Sequence, residues 1–298
     1  MKLLIAVDSS AVSRTVVDHV TKRPWPSGTT ACVLHVIDWY QWPGSSSSLI
    51  QAVKESADAL VKSASDKVNK AGLPATTKVL EGHPRIVVAE YAKESGADLV
   101  LVGSHGASGL VRFLLGSVAH AALRRSPCSV EIVRRYAQDP ATASTAIKIL
   151  IGTDGSDCSI AAVRSVAQRP WPPGSQMRVI SVVPLITSFG ETLSVPFAPV
   201  YPPPDLVETI EKQARDRAEE SVARARQILS EERIKAIEAN FLPVGDARQV
   251  ILDQAKDWNA DLIVVGSHGY STLDRLMLGS VSESVAMHAH CSVEVIRE

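Results

Sequence analysis

Two stretches of the chain carry the residue types and spacing of an anion-binding loop. The first is Gly103-Ser104-His105-Gly106, then nine residues, then Gly116-Ser117. The second is Gly266-Ser267-His268-Gly269, then nine residues, then Gly279-Ser280. Glycine lets a backbone approach a phosphate closely and reach positive φ. In the first stretch Gly116-Ser117 stands before a helical pattern, Val118 to Arg124, where free N–H groups and the helix dipole favour an anion. The Ser117 hydroxyl adds one neutral donor. A single Gly-x-x-Gly is a weak signal that a tight turn would explain. The same glycines and serine, twice at one spacing after an apolar run, point to phosphate binding. No G-x-x-x-x-G-K-[ST] run is present, which excludes a P-loop nucleotidase. No G-x-G-x-x-G follows the first strand pattern, which argues against a Rossmann dehydrogenase.

Other residues could join that chemistry. Asp8 and Asp154 each end an apolar run. Aspartate there caps the next helix or contacts a ligand, and the two roles can coexist. His105 and His268 lie inside the loops, where an imidazole could touch phosphate or act as a base. The plainer reading is a loop filler whose backbone does the binding. Arg112 and Arg275 lie between the glycines and are either phosphate partners or solvated surface. Trp25 and Trp171, set between prolines, read as packing residues. Alanine at Gly116 or Gly279 is expected to crowd the phosphate. Phosphoryl transfer needs a nucleophile, metal ligands and charge stabilisation. The loops hold no lysine and each unit has one obvious acid at the site, Asp8 or Asp154, which favours binding over turnover. The alternative is a slow ATPase or a self-phosphorylating protein with Ser117 or Ser280 as acceptor. A receiver-like domain fits worst, because Asp8 belongs to no acidic pair.

These residues recur because the chain repeats itself. Leu4-Ile5-Ala6-Val7-Asp8 returns as Leu150-Ile151-Gly152-Thr153-Asp154, and Arg23-Pro24-Trp25-Pro26 as Arg169-Pro170-Trp171-Pro172, both at an offset of 146. Ala97 to Gly106 returns as Ala260 to Gly269, and Leu115-Gly116-Ser117-Val118 as Leu278-Gly279-Ser280-Val281, both at 163. Cys128 and Cys291 each precede Ser-Val-Glu. The difference, 17 residues, enters the second copy between its second and fourth strands. The expected organisation is a domain at 1–137, a linker at 138–146 and a second domain at 147–298. The insertion falls at about 184–204, where Pro184, Pro196, Pro199, Pro202, Pro203 and Pro204 exclude helix and central strand. With Phe189, Phe197 and Tyr201 it reads as a lid, an oligomer contact or a plain surface excursion.

Within one repeat, strands are expected at Leu3–Val7, Ala31–Ile37, Thr76–Leu80, Leu99–Val102 and Ser129–Val133. Helices are expected behind Ser9-Ser10, over 49–71 with Leu49, Val53, Ala57, Leu60 and Ala64 on one face, over Arg85–Ser95, and over Leu110–Arg125. Strand–helix alternation with wholly apolar strands implies an α/β, doubly wound parallel sheet with helices on both faces. In a flavodoxin-like order 2-1-3-4-5, or a close variant, Asp8 and Gly103 end neighbouring strands, where such sheets bind ligands.

Composition excludes several classes. The 298 residues carry 31 Lys+Arg against 32 Asp+Glu, and aromatics are 5%, so neither a basic surface nor a base-stacking one is expected, and no nucleic-acid partner. The first apolar run stops at Asp8, too soon for a signal-peptide core, and no stretch approaches a membrane span. A soluble, cytoplasmic protein with no membrane partner is expected. Cys32, Cys128, Cys158 and Cys291 are scattered, which reads as buried free thiols and no metal site.

The G-x2-G-x9-G-S pattern after the fourth strand, with an aspartate ending the first, resembles the ATP-binding branch of the universal stress protein family, in both repeats. That resemblance implies two Rossmann-like five-stranded parallel sheets of order 3-2-1-4-5 that pair antiparallel through their fifth strands. It implies ATP, or ADP or AMP, as ligand, with Mg2+ accompanying the nucleotide, and a role in stress response. Asp8 would hold the ribose hydroxyls or a metal-bound water. Ala6 and Val36 would line the adenine pocket, Val102, Gly103 and Gly106 would approach ribose and phosphates, and Gly116, Ser117 and Val118 would hold the phosphates. Ser104 and His105 count with that loop. The second site would be Gly152, Asp154, Val182, Val265, Gly266, Ser267, His268, Gly269, Gly279, Ser280 and Val281, with Gly152 in place of Ala6. One nucleotide per repeat follows. The two repeats are expected to pair within the chain through Val130–Val133 and Val293–Ile296, and a homodimer of chains would hold four domains.

Overall fold

Leu3-Leu4-Ile5, Leu99-Val100-Leu101-Val102 and Leu262-Ile263-Val264-Val265 are apolar on both faces of an extended chain, so each needs cover above and below. A computed structural model describes residues 1–39, 46–106, 115–134, 146–185, 203–232, 234, 236–269 and 278–297. The first repeat runs β1 (Lys2–Ala6), α1 (Ala11–Lys22), β2 (Thr30–Ile37), α2 (Ser47–Lys70), β3 (Ala75–Glu81), α3 (Pro84–Ser95), β4 (Leu99–Gly103), α4 (Ser117–Arg125) and β5 (Ser129–Val133). The second runs β6 (Lys148–Gly152), α5 (Asp157–Ala167), β7 (Gln176–Ile180), α6 (Pro204–Glu231), β8 (Ala236–Phe241), α7 (Ala247–Asp257), β9 (Leu262–Gly266), α8 (Ser280–His288) and β10 (Ser292–Ile296).

The strands form one sheet in the order β3-β2-β1-β4-β5-β10-β9-β6-β7-β8. Each repeat thus has the order 3-2-1-4-5, not 2-1-3-4-5, because its third strand pairs outside the second. Neighbours are parallel except β5 and β10, which are antiparallel. One core continues across both repeats beneath α3, α4, α7 and α8. On the opposite face α1 and α2 cover one core, and α5 and α6 another.

Several expectations shift. In α2 the buried residues are Ala57, Val61, Ser65 and Val68, while Leu49 is 39% exposed, because the helix's first turns extend past the sheet's cover. Of the helix expected over Leu110–Arg125, Ser117–Arg125 form α4, Leu115 and Gly116 precede it, and 107–114 lie outside the described residues. The 17-residue surplus is not one block. Helix α6 begins 157 residues after α2 and ends 161 after it, so against the offset of 146 eleven residues precede the helix and four lengthen it. The last two precede α7, at offset 163. Pro204, expected in an irregular segment, is the first residue of α6, where its missing N–H costs no helical bond. Residues 186–202, with Phe189, Phe197 and Tyr201, and 135–145, which include 138–145 of the expected linker, lie outside the described residues.

The repeats meet at β5 and β10 in the register Val293↔Ile132, Glu294↔Glu131 and Val295↔Val130. Two buried carboxylates therefore stand directly opposite, an arrangement that repels unless neutralised. The Arg-Pro-Trp-Pro motifs supply the cations. Arg169 donates from both terminal nitrogens to Glu294 (2.9 and 3.0 Å), and Arg23 donates to Glu131 (3.0 Å). His19 Nε2 lies 2.7 Å from Glu131. Arg23 lies 4.7 and 4.2 Å from the ring centres of Trp25 and Trp171, so the tryptophans pack, as expected, and also form the walls of a cation site. Beyond the strands Arg134 donates to the Ala286 carbonyl and Arg297 to that of Leu123, each tying itself to the other repeat's fourth helix.

Burial acts to raise the Glu131 pKa, but His19 and then Arg23 outweigh it and hold the carboxyl at about 2, below its usual 4.5. A depressed carboxylate stabilises the fold above the unfolded pKa and loses that contribution as pH falls towards the folded value. The melting temperature of the wild type should therefore fall more steeply than that of Glu131→Gln between about pH 4.5 and 2. Parallel pH profiles of the two would refute this assignment.

Candidate functional site

Strands β1 and β4 pair from Leu3↔Leu99 to Ile5↔Leu101, so their carboxyl ends emerge together. Strands β6 and β9 do the same from Ile149↔Leu262 to Ile151↔Val264. From each pair the chain departs in opposite directions across the sheet, which opens a crevice at the switch point. The loops that enter it carry Asp8 with Gly103–Gly106, and Asp154 with Gly266–Gly269.

The aspartates do not cap the helices. Ser10 caps α1 and Ser156 caps α5, each accepting from the N–H three residues on. Asp8 lies two residues earlier. Its Oδ1 accepts from the Ser10 N–H (2.9 Å) and the Ser13 hydroxyl (2.7 Å), while its own N–H donates to Ser13 Oγ (2.8 Å). Asp154 Oδ1 accepts from the Ser156 N–H (3.0 Å) and hydroxyl (2.5 Å). Oδ2 faces the glycine loop in both copies. A Cβ on Gly106 would lie 2.9 Å from Asp8 Oδ2, and one on Gly269 would collide with Asp154 Oδ2. Only glycine lets the loop lie against the carboxylate. Ser10, Ser13, Ser156 and Ser159 were not singled out from sequence, although the Asp-x-Ser-x-x-Ser spacing at offset 146 carries that signal.

The loop's second half closes on its first. Gly116 N–H donates to Ser104 O and Gly279 N–H to Ser267 O, both at 2.7 Å. Gly116 and Gly279 are the N-caps of α4 and α8, and neither helix has a side-chain cap. The first turns close with His120 N–H donating to Gly116 O and Glu283 N–H to Gly279 O, both at 2.9 Å. The N–H groups of Ser117, Val118 and Ala119, and of Ser280, Val281 and Ser282, precede those bonds at the helix starts. Ser117 and Ser280 are exposed. A Cβ on Gly116 would meet Ser104 O at 3.1 Å, and one on Gly279 would meet His268 Cα at 3.1 Å. An added methyl thus crowds the protein's own loop before any ligand, which corrects the expected cause of its effect.

Beneath the loops, Ala6, Val36, Val102 and Val118 join one apolar cluster, with Val182, Val265 and Val281 in its continuation under the second repeat. Gly152 is buried, and a Cβ there would lie 3.1 Å from Val265 Cγ1. The loop histidines are tied to the serines before them, Ser104 Oγ to His105 Nδ1 at 3.0 Å and Ser267 Oγ to His268 Nδ1 at 3.1 Å. Arg112 and Arg275 lie outside the described residues. A groove of about 730 Å3 runs from Ser117 between α3 and α4, lined by Arg85, Arg124 and Arg125 with His83 and His120. Its counterpart between α7 and α8 is mixed in charge, with Asp246 and Asp253 beside Arg248 and Lys256. Among the described residues no cluster of three His, Cys, Asp or Glu could hold a metal ion, and no helix is long and apolar enough to cross a membrane.

A doubly wound α/β sheet, present twice with the same glycine loop at its switch point, defines the class of protein. The model of the universal stress protein family matches residues 1–134 and 147–297, and the chain belongs to that family. A universal stress protein of Mycolicibacterium smegmatis is 26% identical over 312 aligned positions, covering 99% of this chain and 96% of that one. Universal stress protein YxiE of Bacillus subtilis is 31% identical over 145, covering 45% of this chain and 98% of its own length. Among solved structures, a universal stress protein from Archaeoglobus fulgidus superposes with a TM-score of 0.64 at 20% identity, over 100% of this chain and 96% of that one. That likeness shows the fold.

Proposed function

We propose that each repeat binds one adenine nucleotide, ATP in preference to ADP or AMP, and that the chain is a soluble, cytoplasmic, nucleotide-responsive regulator of a stress response. The observation that carries this reading is the glycine loop. It packs on Asp8 or Asp154 and leads into a helix start with a glycine cap and no side-chain cap. Backbone N–H groups of Ser117–Ala119 and Ser280–Ser282 would receive the phosphates, with the Ser117 and Ser280 hydroxyls as further donors. Asp8 Oδ2 and Asp154 Oδ2 would accept from ribose hydroxyls. Ala6, Val36 and Val102, with Gly152, Val182 and Val265 in the second repeat, would supply the apolar side of the base pocket. Mg2+ would come with the phosphates, since such ions are held largely by substrate oxygens and water. The anion is recognised by amides rather than lysines, which accords with a net charge of −1.

Titration calorimetry with ATP should give two sites per chain. Asp8→Asn keeps the Oδ1 acceptor for Ser10 and Ser13 and replaces Oδ2 by a donor. It should weaken the first site about 10–100-fold and leave the second intact, as expected for a lost hydrogen bond to a charged group. One site in the wild type, or two unchanged sites in the variant, would overturn the assignment. The exposed Ser117 and Ser280 hydroxyls favour self-phosphorylation as the second reading. Mass spectrometry after incubation with MgATP distinguishes it by a phosphate on either serine.

A further inference from the structure

The groove between α3 and α4 and its counterpart between α7 and α8 hold equivalent places in the two repeats but not equivalent charges. At the offset of 163, His83, Ile86, His120, Arg124 and Arg125 give way to Asp246, Gln249, Glu283, Met287 and His288, while Arg85 is matched by Arg248. In the second repeat Asp246 fills the start of α7. Its carboxylate caps that helix, accepting from the Arg248 N–H at 2.8 Å and from Arg248 Nε at 3.0 Å. An arginine and a helix start at this place thus hold a carboxylate. In the first repeat the aspartate's place is taken by His83, whose Nδ1 lies 3.6 Å from Asp38 Oδ2, and no side chain caps α3. On the α4 side Glu283 reaches His120 Nε2 at 3.0 Å and Arg124 at 3.6 Å. Arg85 and Arg125 are exposed, and among the described residues neither has an acid as partner. Ile86, 40% exposed, lines the same groove. A bare phosphate chain would use the arginines alone, whereas a peptide carrying acids and an apolar residue uses both the arginines and the isoleucine.

We propose that the groove between α3 and α4 docks an acidic segment of a partner protein. Arg85 and Arg125 take its carboxylates through their paired N–H donors, and Ile86 seats an apolar side chain between them in its sequence. The place that Asp246 closes in the second repeat is open in the first to a carboxylate from another chain. Docking is therefore confined to the first repeat. It goes beyond the nucleotide reading and stands on the groove's own residues.

The test uses the full-length protein and a fluorescein-labelled peptide, Glu-Glu-Leu-Glu-Glu-Leu-Glu, followed by fluorescence anisotropy at low ionic strength. Binding should weaken about tenfold in the double variant Arg85→Gln with Arg125→Gln, and in the wild type as salt is raised. His83→Asp keeps every arginine and copies the internal carboxylate of the second repeat, so it should weaken binding too. Ile86→Ser should weaken the peptide about threefold and leave inorganic tripolyphosphate unchanged. Melting temperatures check that each variant folds, and ATP titrations of the double variant should match those of the wild type, whatever the wild type shows. No peptide binding by the wild type, or binding unchanged in the folded double variant, would overturn the proposal. Tighter binding of tripolyphosphate than of the peptide would overturn it by assigning the groove to a phosphate chain. A chain dimer that dissociates in the double variant would overturn it by assigning the groove to a second copy. Loss of ATP together with the peptide would overturn it by making the groove part of the nucleotide site.

Discussion

Arg169→Ala is expected to destabilise the chain by about 3–5 kcal/mol, the usual cost of stranding one partner of a buried ion pair. Glu294 would lose both charge-assisted bonds from Arg169 and keep only the 3.9 Å approach of Arg23 Nη2, the same guanidinium that bonds Glu131 through Nη1. Glu294 would then face Glu131 across the β5–β10 register with a single arginine between them. The double variant Arg169→Met with Glu294→Met should recover most of the loss, because an apolar pair of similar volume often serves as well as a buried ion pair. Urea unfolding of the three proteins reads both effects. A loss below about 1 kcal/mol in Arg169→Ala would mean that the buried charges do not hold the repeats together. The consequence reaches the candidate sites. Ser104 N–H donates to Val133 O of β5 at 3.0 Å, and Ser267 N–H to Ile296 O of β10 at 2.8 Å. The glycine loops are therefore hung on the two interface strands, and loosening the interface should weaken nucleotide binding as well.

The second large effect separates two glycines that look equivalent. A Cβ at Gly266 would lie 2.6 Å from the Cys158 carbonyl carbon, 2.7 Å from Ser159 N and 2.8 Å from Cys158 O. All three are backbone atoms of the first turn of α5, so relief requires moving the helix. A Cβ at Gly103 would meet the Val12 Cγ1 methyl at 2.7 Å, and a rotamer change relieves much of that contact. Gly266→Ala should cost about 3 kcal/mol or somewhat more, the upper end for overpacking, and should abolish binding at the second site. Gly103→Ala should cost about 1 kcal/mol and weaken only the first. Thermal melts with ATP titrations of both variants test this. Equal losses would show that helix α5 yields as readily as a valine methyl.

Much of this was legible in the chain. Strands such as Leu99–Val102 are apolar throughout, so parallel burial is readable from the sequence, and the repeated Gly-x-x-Gly marks the loops. Helix faces were less legible. Leu49 looks like a core residue by spacing, yet the helix outruns the sheet that would cover it. Pro204 reads as a breaker until the chain places it at a helix's first position, where proline is tolerated. The interface was hidden for a different reason. Glu131 and Glu294 sit within short apolar strands, and nothing local says that they will face each other or that arginines more than a hundred residues away in sequence will neutralise them. The bracing serines are legible only through the repeat, since Asp-x-Ser-x-x-Ser recurs at an offset of 146 whereas a serine after aspartate is by itself common in turns. The sequence pattern identified what could touch a phosphate, whereas the tertiary fold determined what holds those groups in position.

The most direct test is to extract the freshly purified protein with acid and to identify and count the released nucleotide. Two adenine nucleotides per chain, with ATP predominating, is the predicted result. A protein that releases none, and that takes up none when ATP is added back, would contradict the claim that the twin glycine loops are nucleotide sites.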